Sequence, residues 1–253
     1  SLANDIVFFP GVELRTDKGG SNIHPIIVFN ENINLSELVE DFNVFKRDKA
    51  KDKDSNEKIR WDYNDIVEFS QKHDGIITIH AGSKTNGIDE QISNVLPIKI
   101  AIKEEYAETV SIFEIGKIED IEEYKTYKFP KIGIRPLIIG SDNHNPQKYP
   151  NDRNSTVFTW IKANPTFEGL KQIINEPERI FIGEEPELLK RIKTSPTKFI
   201  KSIAIQKKAD STVDEEWYGN NTTIDINPGL VAIIGNKGSG KSACEITLLR
   251  WCR

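Results

Sequence analysis

Two rhythms of apolar and polar positions run through the chain. Short β-branched or aromatic runs bounded by Gly, Pro or polar clusters predict strands at residues 6–9, 23–29, 76–81, 111–115, 136–140 and 156–162. Between them, spacing near 3.6 residues predicts helices at 35–45, with Asn34 or Ser36 as cap, at 61–73, ended by Asp74 and Gly75, and at 118–127. Residues 89–109 are long enough for a helix interrupted near Pro97, and 165–174 reads as a helix with Pro in its first turn. The mixed-sign run 46–58 predicts a solvated loop. Strands alternating with helices argue for parallel βα units and an α/β fold.

Carboxylates and imidazoles recur where these strands end. Glu13 follows the Pro10-Gly11 break, His24 opens the 23–29 strand, His80 closes the 76–81 strand, and Asp142 and His144 follow the 136–140 strand. Three of the four histidines belong to this set. His73 sits near a helix terminus, where the helix dipole alone explains it. Glu114 lies inside a strand, where pairing with a neighbouring cation explains it at least as well as ligation. Mixed Asp, Glu and His donors suit divalent Zn, Mn or Fe better than Mg or Ca alone.

With PGVE around Glu13, IHPIIVF with His24, ITIHAG with His80 and GSDNH with Asp142 and His144, residues 4–185 resemble the PHP family (polymerase and histidinol phosphatase) of metal-dependent phosphoesterases. The resemblance implies a distorted βα barrel with up to three metals at its strand ends. Glu13, His24, His80, Asp142 and His144 would be ligands, and Asp142 and His144 would also serve catalysis. The family's N-terminal His-x-His motif does not precede Glu13. The expectation is therefore an incomplete barrel, from truncation or from loss of part of the metal site. The chain also lacks methionine, which predicts a fragment, a processed chain or a sequence missing modified methionines.

A second module follows. Residues 199–206, 222–226 and 229–234 predict strands, and the last leads into Gly235-Asn236-Lys237-Gly238-Ser239-Gly240-Lys241-Ser242, a full GxxxxGK[ST] match. Such a loop turns successive backbone N–H groups toward phosphate, its Lys reaches the β and γ phosphates, and its Ser ligates Mg²⁺. The surroundings resemble the start of an ABC- or SMC-type ATPase head, and residues 159–179 resemble the segment closing the PHP module of TrlF-like PHP-ATPases. The predicted division is a PHP-like domain over 1–190 and the first part of an ATPase over 197–253. Eleven residues follow Ser242, so no Walker B acid or signature sequence is present and hydrolysis by this chain alone is not expected. Cys244 and Cys252 lack metal-ligand spacing and read as core or fraying residues.

Composition narrows this picture. A net charge of -5 excludes a wholly basic nucleic-acid-binding surface, and no apolar run approaches membrane-spanning length. The expectation is a cytoplasmic hydrolase with metal and ATP sites, a nucleic acid as substrate, and homodimerisation through the complete ATPase head. The alternative is an inactive PHP scaffold in an ATP-dependent assembly protein.

Overall fold

The computed structural model describes residues 6–16, 23–53, 58–84, 87–91, 106, 108–141, 143, 145, 147, 156–207, 209–212 and 222–242. The chain divides into two compact units, Ser1–Glu184 and Glu185–Arg253.

In the first unit, β1 (Gly11–Glu13), β2 (Pro25–Val28), β3 (Ile76–Ala81), β4 (Ile112–Ile115) and β5 (Leu137–Ile138) form one sheet in that order. The sheet is mixed. β2 pairs antiparallel with both β1 and β3, whereas β3, β4 and β5 are parallel. The expectation of parallel units throughout is therefore corrected. The stretch joining β1 to β2 is too short for a crossover, which needs a dozen or more residues, so it returns the chain as a hairpin. From β2, α1 (Leu35–Lys49) and α2 (Tyr63–Lys72) together carry the chain back to run antiparallel at β3.

Several predicted elements are lost or shift at their edges. The 6–9 run is not a strand, and Ile6 and Phe8 are exposed. Pairing begins where Phe29 N donates to Pro10 O at 2.8 Å, and β1 starts at Gly11. Helix α1 runs past Phe45 into the charge run, because Lys46, Arg47 and Lys49 sit favourably at its carbonyl end. Its start is fixed by Asn34, whose side chain accepts from Ser36 N and Glu37 N. Of the 89–109 stretch, α3 (Ile88–Gln91) is described, and 92–105 lies outside the described residues.

Residue parity sorts the two faces of the sheet. Ile77, Ile79, Ala81, Phe113 and Ile115 pack with Tyr63, Tyr124 and Phe129. Here α4 (Asp120–Glu123) runs through a π-helical turn (Tyr124–Lys128) into α5 (Phe129–Ile132), further than predicted. Ile76 and Ile112, on the opposite face, pack with Phe167 and Ile173 of α6 (Phe167–Asn175). Thr166 caps α6 by accepting from Gly169 N at 3.1 Å, so Pro165 precedes the cap rather than entering the first turn. β6 (Phe158–Ile161) and β7 (Ile180–Gly183) pair antiparallel.

The second unit contains α7 (Glu187–Thr194) and the antiparallel pair β8 (Ser202–Ile205) and β9 (Thr222–Asp225). The predicted strand at 229–234 is absent. That segment pairs with no strand among the described residues, and Leu230 and Ile234 are 92% and 89% exposed. An apolar run becomes a buried strand only when neighbouring edges accept its backbone groups. Among the described residues, no helix is long and apolar enough to cross a membrane.

Candidate functional site

The polar end of the sheet follows from register. Pro25 faces Ile79 in the antiparallel β2–β3 pair, so one further step sets His24 opposite His80. His80 in turn faces Glu114 across the parallel β3–β4 pair. Glu13 faces Ile26, two residues from His24 and on the same face. Strand pairing alone thus gathers Glu13, His24, His80 and Glu114 on the Ile76–Ile112 face, beyond the point where apolar packing ends.

Side chains complete the geometry. His24 Nδ1 lies 2.7 Å from Glu13 Oε1, and the two imidazole rings are 6.3 Å apart. His80 Nε2 is 3.6 Å from Glu114 Oε2, while Glu114 Oε1 accepts from Lys84 Nζ. His24 Nε2 and His80 Nδ1 are buried and have no hydrogen-bond partner among the described residues. Among those residues, no three His, Cys, Asp or Glu side chains gather closely enough to hold an ion. Asp142 and His144 lie outside the described residues. The backbone leading to them is close by, because a Cβ on Gly140 would stand 2.5 Å from Glu114 Oε1.

Sequence reasoning missed the loop after β3 that carries Lys84. Gly82 turns it with φ +59°, and a side chain there would strike the Asp120 carboxylate at 2.6 Å. Asp120, only 3% exposed, accepts through Oδ2 from Ser83 N (3.0 Å), Ser83 Oγ (2.8 Å), Gly116 N (3.2 Å) and Lys117 N (3.2 Å). Asp89 accepts from Gly82 N at 2.8 Å, Tyr124 Oη at 2.6 Å and Lys128 Nζ at 2.7 Å. Burial first, then the charge and hydrogen bond of Asp89, hold the Tyr124 phenol well above the usual tyrosine range. Burial opposes the charge on Lys128, but Asp89 outweighs it and leaves that ammonium harder to deprotonate than usual. The only local cue was the small-residue turn after His80, since Asp120 lies 37 residues from Ser83.

His73 ends α2 as expected, but its ring packs between Phe29 and Phe69 at 6.0 and 4.7 Å, away from the site. Desolvation lowers its pKa, partly offset by Asp41.

In the second unit, the GxxxxGK[ST] residues form an exposed loop. Gly238 and Gly240 take φ of +84° and +82°, a left-handed geometry that side chains resist, and Ser239 N donates to Asn236 O at 3.2 Å. Lys241 Nζ folds back to donate to Gly235 O (2.6 Å) and Asn236 O (2.7 Å). Lys237 is exposed, and helical geometry begins at 241–242. Cys244 and Cys252 lie outside the described residues.

Comparison with known proteins gives no match to a family model, a curated protein or a solved structure.

Proposed function

We propose that the chain is a metal-dependent phosphoesterase of the PHP type joined to an ATP-binding unit, with nucleic acid as its substrate class. The observation that carries this reading is the pair of buried, unpartnered imidazole nitrogens, His24 Nε2 and His80 Nδ1, at one polar end of a sheet. A buried nitrogen without a partner costs stability, and such a cost persists where a ligand meets it in the working state. The donor set fits a divalent Zn, Mn or Fe ion, to be held by His24, His80, Asp142 and His144 with Glu13. When bound, such an ion lowers the pKa of water and polarises a phosphoryl oxygen.

The chain's own residues divide the remaining work. Glu13 accepts the Nδ1 proton of His24, which leaves the Nε2 lone pair available for ligation. This makes Glu13 an orienting carboxylate as well as a candidate ligand. Glu114 lies between His80 and Lys84 and keeps a carboxylate on both. At the phosphate loop, Lys241 would exchange the Gly235 and Asn236 carbonyls for nucleotide phosphate oxygens, with Mg²⁺ on Ser242.

Elemental analysis combined with hydrolysis of bis(p-nitrophenyl) phosphate tests the first half. Bound metal and hydrolysis, both lost in His80→Ala with the fold intact, support the reading; a folded protein with neither sinks it. Fluorescent ATP binding that falls about a hundredfold in Lys241→Ala tests the second half.

A second reading, an inactive scaffold in an ATP-dependent assembly protein, is favoured by one observation. Glu13 and Glu114 are each engaged by a partner within the chain, His24 and Lys84. ATP-dependent dimerisation with no phosphodiester cleavage would select it.

A further inference from the structure

Among the described side chains at the rim, Lys84 and Glu114 stand outside the proposed ligand set, and Lys84 is the cation of that pair. Its ammonium is largely buried, with 13% of the side chain exposed, and it bonds Glu114 Oε1, itself on a side chain 12% exposed. Burying a lysine is costly, and a buried ion pair is weak support for a fold. Holding the loop does not explain it. Asp89 fixes Gly82 N, Asp120 fixes Ser83 through two bonds, and Lys84 N donates to Ala81 O at 3.2 Å. Those contacts lock the backbone leading into Lys84 without using its side chain. The loop is built so that it delivers one cation to a fixed place beside His80 and Glu114.

An ammonium carries three donors, and Glu114 Oε1 takes one. Donor capacity therefore remains on a cation set at the end of β3. Glu114 keeps the ammonium in position and compensates its charge until an anion arrives. The Gly140 backbone, leading into Asp142 and His144, lies against the same carboxylate. A group that reaches Glu114 at this end of the sheet thus meets Lys84, on the same carboxylate that faces His80.

We infer that Lys84 is a substrate-binding residue that anchors a non-bridging phosphate oxygen, with Glu114 as its positioning partner; this rests on the phosphoesterase reading. The chemical class it selects is a phosphate mono- or diester carrying at least one negative oxygen.

The test titrates inorganic phosphate into the protein by calorimetry, comparing wild type with Lys84→Met, Lys84→Arg and Lys84→Met/Glu114→Gln. Metal content, thermal stability and hydrolysis of bis(p-nitrophenyl) phosphate are followed on the same samples. Wild type is expected to bind phosphate, and Lys84→Met to bind it about ten- to a hundredfold more weakly with metal content unchanged, the loss of a charge-assisted bond. Lys84→Arg is expected to keep most of the affinity. In the double variant no carboxylate is left unpaired, so stability returns while phosphate affinity does not.

Three results would overturn the inference. They are a wild type that does not bind phosphate, a Lys84→Met protein within about twofold of wild type, and a double variant that recovers affinity together with stability. If wild type hydrolyses the diester while Lys84→Met keeps its affinity, the inference fails and the phosphoesterase reading stands. If phosphate binds through Lys84 but nothing is hydrolysed, the anion site stands and that reading fails.

Discussion

The loop after β3 and the glycine-rich loop at residues 235–242 use the same ingredients, a left-handed glycine near a lysine, and stabilise them in opposite ways. At Gly82 the turn is clamped by two carboxylates, Asp89 seven residues on and Asp120 from the far side of β4. At Gly238 and Gly240 the turn is exposed, and Lys241 satisfies the carbonyls of its own loop. The first loop is therefore pre-organised by folding. The second is held by its own lysine, so the proposed binding of nucleotide would require that group to leave its partners and would include a rearrangement.

The sharpest way to break this contrast is Asp120→Ala. It removes a buried carboxylate that accepts four hydrogen bonds holding two loops together and is expected to cost about 3 kcal/mol, read as a lower urea midpoint for the first unit. Lys241→Ala, which removes only exposed contacts, should change stability by less than about 0.5 kcal/mol. Equal losses from the two variants would mean that the loops are not stabilised differently.

Gly82→Ala comes next, at about 2 kcal/mol, because it combines positive φ with a Cβ pressed on Asp120. A loss no greater than that of an ordinary surface Gly→Ala change would remove the clamp from the argument.

Tyr124→Phe sharpens the Asp89 side at about 1 kcal/mol, and it adds a pH signature. The folded protein keeps the phenolic proton that an unfolded chain releases near pH ~10. This contribution is complete below that pH and is lost as pH rises beyond it. Urea midpoints between pH 9 and 11, about the tyrosine range, should therefore fall more steeply in wild type than in Tyr124→Phe.

The smallest effect belongs to His73, away from both loops. Its lowered pKa keeps the folded imidazole neutral, so its contribution is complete above pH ~6.5 and declines as pH falls and the unfolded chain takes up a proton. His73→Leu should flatten the acid side of the stability profile while leaving the alkaline side unchanged.

Much of this arrangement was legible in the residues. The ITIHA alternation gives β3 and the face of His80 directly, and Asn34 announces the start of α1, because both are set by period and local hydrogen bonding. The direction of β2 was not legible. Antiparallel and parallel neighbours demand the same β-branched residues, and the choice is made by where α1 and α2 return the chain. Lys84, Asp120 and Asp89 escaped because each acts through partners about 30 or more positions away or through backbone donors without a side-chain signature. The 229–234 run looked like a core strand because its composition records what would suit burial, whereas strand formation also requires an edge to pair with.

The mixed sheet has a consequence for how the rim assembles. Glu13 and His24 are 11 residues apart on one hairpin, whereas Lys84 and Glu114 are separated by 30 residues and must be brought together by a parallel crossover. Local hairpins close in microseconds, and parallel pairings wait for longer loops to close. On loop closure alone, the rim is expected to assemble in two halves, with the Glu13–His24 pair closing before the cation and carboxylate of the other side.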